Sequence, residues 1–87
     1  MQGAAETNVR VLIFGPAARA VQAASVEVRV ASPTTASTVM RALASQYPRL
    51  AFALAQARLA VNHAIVAADA PVHGDDEVAL IALVDGG

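Results

Sequence analysis

The residues of this chain best placed for chemistry come at its end, in Val84-Asp85-Gly86-Gly87. Two glycines carry no Cβ, so their backbone can pass through a slot too narrow for any side chain. They also leave the carboxylate of Gly87 sterically open, and a carboxylate presented in this way can be activated inside a partner's active site. The side chains offer less. His63 and His73 are the only histidines. Both fall in turn-forming stretches with no second ligand at metal spacing, and they read as solvated turn residues. No metal site is expected. Asp75, Asp76 and Glu77 form an acidic run, but neighbouring residues on a strand diverge and make a poor acid–base pair. The run reads as a solvated turn or as an acidic rim for a basic partner. The sequence contains neither a Gly-x-Ser-x-Gly elbow nor a phosphate-binding loop.

Composition narrows the classes further. The chain has 87 residues, enough for one domain, and its net charge of −1 gives no general affinity for nucleic acid or an anionic membrane. No apolar run reaches the ~18 residues of a spanning helix. Met1 to Asn8 lacks the charged and apolar regions of a secretory signal and is expected to be a disordered leader, with a single domain over residues 9–87. Cysteine is absent, which rules out disulfides and thiolate chemistry within the chain. This fits a reducing compartment, and a cytoplasmic location is expected. All six basic residues are arginine.

The elements that would carry the tail follow from patterning. Val9 to Phe14 is a strand by β-branched content, with Val9, Val11 and Ile13 on one face and Arg10, Leu12 and Phe14 on the other. Gly15-Pro16 ends it, and the alanine-rich stretch Ala17 to Ala24 is expected to hold a helical turn. Ser25 to Val30 alternates valine with charge and should pair antiparallel with the first strand. Ser32 to Thr35 reads as a turn and helix entry, with Thr35 as the N-cap candidate and Thr34 and Ser37 as competitors. Val39, Met40, Leu43 and Tyr47 make one helical stripe, and Pro48 stops that helix. Arg49 to Ala57 suggests a second short helix. Leu59 to Val61 and Ala64 to Val66 flank Asn62-His63, a hairpin turn in which asparagine tolerates positive φ. His73 to Asp76 is a turn that launches an apolar strand from Glu77 to Val84. Such a strand needs neighbours on both edges, so a central place beside the first strand is expected, with the helix as crossover. The resulting class is α+β, a mixed sheet packed on one main helix with a second short helix.

Four stretches then add up to a resemblance. Val9 to Pro16 (VRVLIFGP), Thr38 to Pro48 (TVMRALASQYP), Leu59 to Asn62 (LAVN) and Gly74 to Gly87 (GDDEVALIALVDGG) resemble the ubiquitin-like β-grasp sulfur carriers of the MoaD/ThiS family. Within that family the chain is most similar to the small subunit of molybdopterin synthase. It departs from those subunits at Ala82-Leu83, where they often carry two prolines, and at Asp85, where they often carry Ser, Thr or Ala.

The resemblance implies a ubiquitin-like β-grasp with a diglycine tail at residues 85–87. It implies that a ubiquitin-activating-type adenylyltransferase uses ATP to adenylate the Gly87 carboxylate, with Gly86 part of the same site, and that sulfur then replaces the adenylate as a thiocarboxylate. The large subunit of molybdopterin synthase would take up the tail and use that sulfur on a cyclic pyranopterin precursor. No cofactor would be stably bound, and the chain would be a sulfur donor rather than a catalyst. Sulfur carriers of the thiamine and tRNA-thiolation branches, ubiquitin-like modifiers, and an interaction module with an inert tail are the alternatives. For docking, the pattern points to an apolar patch on the helix-free side formed by Leu12, Phe14, Ile81 and Leu83, continued by Val84 and Asp85. On the last strand, Val78, Leu80 and Ala82 would face the helix.

Overall fold

The structure, a computed structural model, describes residues 5–82. Its first strand, β1 (Glu6–Leu12), pairs antiparallel with β2 (Ser25–Ala31) over its whole length. β1 therefore begins three residues inside the expected leader and stops two residues short of Phe14. Backbone pairing explains the early start, because Glu6, Thr7 and Asn8 have Ala31, Val30 and Arg29 opposite them and gain ladder bonds whatever their side chains. Gly15, at φ +61, and Pro16 explain the early end. They turn the chain into α1 (Gly15–Val21), with Phe14 as its extended N-cap residue.

After β2, Thr34-Thr35 does not simply turn. It forms β3 (Thr34–Thr35), which pairs antiparallel with β6 (Pro71–Val72) in a separate two-stranded sheet. Thr35 then caps the main helix, α2 (Ala36–Gln46), its hydroxyl accepting from the Thr38 amide at 3.4 Å. Tyr47, before Pro48, has left helical geometry at φ −133 and ψ 75. The second helical region is shorter than residues 49–57. A 3-10 turn, Pro48–Leu50, runs into α3 (Ala51–Leu54), and Ala57 already belongs to β4 (Ala57–Val61). Its pairing with Ala82 draws Ala57 into the sheet. Asn62 and His63, both at positive φ, connect β4 to β5 (Ala64–Ile65).

The last described strand, β7 (Val78–Ala82), lies at the centre of a five-stranded sheet ordered β2-β1-β7-β4-β5. It runs parallel to β1 and antiparallel to β4. One face of this sheet is packed on α2: Val9, Val11, Val28, Val78 and Leu59 meet Val39 and Leu43, all nearly or wholly buried. Each such side chain contributes about 1.5–3 kcal/mol through burial. Ala82, expected to face the helix, is instead exposed at the end of β7, beyond the reach of that core. The described residues contain no helix long and apolar enough to cross a membrane.

Two side chains at the C-terminal end of α2 finish the sheet on its β2 side. Gln46 accepts from the Arg29 amide at 3.1 Å and donates to the Arg29 carbonyl at 2.9 Å. The Tyr47 hydroxyl donates to the Glu27 carbonyl at 2.7 Å.

Candidate functional site

The tail must leave from the end of β7, so the site is built from the residues around that end. Alternation along β7 buries Val78 and Leu80 and turns Ala79 and Ile81 to the helix-free side. Register then fixes their neighbours. Leu12 on β1 stands beside Ala79, Ala60 on β4 stands on its other side, and Ile65 on β5 stands beside Ala60. These four make one apolar row across four strands. Ile65, half exposed, was not among the residues expected to dock. The hairpin register about Asn62-His63 was the signal that could have found it.

Phe14 stands apart from that row. Because β1 has ended, its ring lies at the mouth of α1, 57 % exposed, and lines a cleft of about 290 Å³ with Ile81. Ala17, Ala53, Ala57 and Ala82 complete the apolar wall. Small side chains leave this space open: a Leu at Ala53 or Ala57 would fill part of it. Neither alanine carried a functional signal in the sequence, since each reads as ordinary helix or strand filler. Leu12, Phe14 and Ile81 thus all lie on or beside β7, with Leu12 in the row and Phe14 with Ile81 in the cleft. Leu83, Val84, Asp85, Gly86 and Gly87 lie outside the described residues.

The opposite end of β7 is polar and tied down. The Asn62 amide donates to Asp76 at 3.1 Å, and its carbonyl oxygen accepts from the Glu77 amide at 3.0 Å. The Asn62 backbone amide donates to the Glu77 carbonyl at 2.7 Å. His63 Nε2 sits 3.0 Å from Glu77 Oε2, and His73 Nδ1 3.5 Å from Asp76 Oδ2. The His73 amide also donates to Asp76, and this bond, with the Asn62 amide, holds the Asp76 carboxyl below the usual carboxylate range. Gly74 packs this turn against β1, where a Cβ would overlap Thr7 Oγ1. Both histidines are exposed, and each carboxylate meets one histidine. No group of three acidic or histidine side chains among the described residues could hold a metal ion. The polar network is therefore a brace for the start of β7.

The sequence matches the ThiS family over residues 11–87. No curated protein matches it. Among solved structures it is similar to SAMP1 from Haloferax volcanii, at 22% identity and a TM-score of 0.77, covering 92% of this chain and 99% of that one. It is also similar to a candidate molybdopterin converting factor subunit 1 from Pyrococcus furiosus, at 15% identity and TM-score 0.76, covering 90% and 99%. A third similar chain comes from a complex of subunits 1 and 2 of the molybdopterin-converting factor of Helicobacter pylori, at 21% identity and TM-score 0.64, covering 93% and 100%. At these identities the structural likeness establishes the ubiquitin-like β-grasp fold.

Proposed function

The chain belongs to the ThiS family, and from that premise we propose that it is a sulfur carrier whose Gly87 carboxylate is converted to a thiocarboxylate, serving as the small subunit of molybdopterin synthase. The observation that carries this reading is the extent of the family match, which runs through Gly86 to Gly87. The Helicobacter pylori likeness supports a large-subunit partner, since that chain comes from a two-subunit complex.

In the proposed cycle the Gly87 carboxylate attacks the α-phosphorus of ATP in an adenylyltransferase and expels pyrophosphate. Hydrosulfide then adds to the acyl carbon, the acyl–oxygen bond breaks, AMP leaves and a proton is released. ATP is a co-substrate of the activating partner, and this chain holds no cofactor of its own. Gly86 and Gly87 admit the backbone to both partners' slots. The large subunit supplies the residues that act on the pyranopterin precursor. Leu12, Ala79 and Ile65 of the row, with the side chains of Phe14 and Ile81, give the partners an apolar surface close to the tail, with buried Ala60 joining the strands between them.

The test is an intact mass after incubation with ATP, an adenylyltransferase of this type and sulfide. Replacement of one oxygen by sulfur at Gly87 is expected, and its absence sinks the reading. Thiocarboxylated chain is then offered to the large subunit with the pyranopterin precursor. Formation of the dithiolene supports the molybdopterin branch. Sulfur delivered only to a thiamine precursor or to tRNA would move the carrier to another branch. Gly87 found in isopeptide linkage to other proteins' lysines would make it a modifier.

A further inference from the structure

Charge is distributed unevenly along β7. The acidic run Asp75–Glu77 precedes it, about 17 Å from Ala82 at the rise of an extended strand. That exceeds the screening length of about 8–10 Å at physiological salt. Among the described residues the cleft at the other end is itself lined by uncharged side chains, and arginines lie beside it. Arg58 is exposed on β4 as the register partner of Ile81, and with Met40 and Arg41 it lines a neighbouring depression that shares Ala57 with the cleft. Arg19 is exposed on α1 and lines the depression adjoining the cleft, with Phe14 as the wall the two share. Among the described residues, neither arginine is ion-paired. Arg10 and Arg29 differ: Arg10 donates to Ser25, and Arg29 lies 3.7 Å from Glu6.

We propose that the cleft between α1 and the end of β7 seats an acidic, apolar-tipped segment of the enzyme that activates the tail. An apolar side chain of that segment fills the space lined by Phe14, Ala53, Ala57 and Ile81, and its carboxylates meet Arg58 and Arg19. The inference rests on the sulfur-carrier reading and adds the chemistry of the partner's surface. Reach supports it. Five residues, Leu83 to Gly87, follow Ala82, and five extended residues span at most about 18 Å. Any active site that holds Gly87 must therefore lie within that distance of Ala82, a lining residue of the cleft. The slot's entrance is bound to come near this end of the molecule. Carboxylates there are attracted by Arg58 and Arg19 and stand clear of the acidic run at the far end. Guanidinium groups also suit carboxylates in particular, through their paired parallel donors.

The experiment measures steady-state adenylation of the full chain by the adenylyltransferase that thiocarboxylates it, across a salt series. The double variant Arg19→Glu, Arg58→Glu is expected to raise KM by about tenfold or more at low salt while kcat stays within about twofold. The gap should close near 1 M salt, where screening shortens to about 3 Å. Asp75→Arg, at the far end, should move KM by less than about twofold. Ala53→Leu, which fills the cleft without changing charge, should raise KM independently of salt. Circular dichroism confirms that each variant is folded. An unchanged KM in the double variant, or a rise that salt does not relieve, overturns the proposal while leaving thiocarboxylation standing. A wild-type chain that no adenylyltransferase modifies overturns both.

Discussion

The two ends of β7 are built on opposite terms. Where the strand begins, Asn62 alone makes three hydrogen bonds to Asp76 and Glu77, and a histidine sits against each of those carboxylates. Where it finishes, the surroundings are Phe14, Ala53, Ala57 and Ile81, an apolar cleft with a partly exposed wall. Polar bonds fix one end in position by direction. The other offers non-directional surface, which a second molecule can cover. A carrier that must present a tail repeatedly needs both: a strand that does not slide in its register, and apolar surface at its finish that a second molecule can cover.

The most severe test of this contrast removes the tail itself. A chain lacking Gly86 and Gly87 should lose all sulfur exchange, with a melting temperature unchanged within about 2 °C, since the core lies on α2 and the sheet. Full sulfur transfer by that variant would mean that the finishing end is not the working end. Next in size, Ile81→Asp should weaken binding to the partner by about 1–4 kcal/mol, the range of a buried anchor, and keep its circular dichroism spectrum. Binding at wild-type strength in a pull-down would remove Ile81 from the docking surface. At the braced end, Asn62→Ala should lower stability by about 1–2 kcal/mol in urea unfolding, because it removes two exposed side-chain hydrogen bonds, to the Glu77 amide and to Asp76, and puts alanine at positive φ. Activity at saturating partner should survive. A loss of turnover in a folded Asn62→Ala protein would show that the two ends are coupled.

The smallest expected effect concerns pH. The Asp76 carboxyl is held below its ordinary value by the His73 amide and the Asn62 side chain. A depressed carboxylate pKa contributes stability that is present above the unfolded value of 3.8 and is lost as pH falls through the lower folded value. Urea midpoints should therefore decline in acid more for the wild type than for Asp76→Asn. Parallel declines would show that Asp76 carries none of the acid sensitivity.

Much of this arrangement could be read from residue order. Val26, Val28 and Val30 alternate with charge and are buried in turn, Thr35 caps α2, and the Asn62-His63 hairpin forms at positive φ. In each case local chemistry and tertiary packing ask for the same conformation. The errors fall where they ask for different ones. Glu6 to Asn8 are polar and read as leader, yet β2 supplies a partner strand for their backbone. Phe14 looks like the last residue of a strand, yet Gly15 turns it out to the mouth of the cleft. Thr34-Thr35 pairs with Pro71-Val72, a contact between residues far apart in the chain that no local signal announces. The cleft was invisible for a related reason: it is defined by the smallness of Ala53 and Ala57, and small residues signal nothing until the elements around them are placed.

The grip of Gln46 and Tyr47 on β2 bears on how copies of this chain behave when crowded together. An edge strand presents unpaired amides and carbonyls on which a neighbour can lay a strand of its own, and sheets left open in this way are templates for aggregation. Here the Gln46 carboxamide, with its donor and acceptor side by side, stands in for one peptide unit of such a neighbour, and the Tyr47 hydroxyl occupies the next carbonyl along. An incoming strand would have to displace these three hydrogen bonds to pair along the middle of β2. The helix that fills the core thus also guards the middle of one border of the sheet, and the chain can expose apolar surface for a partner beside β7 while making β2 a poorer template for its own kind.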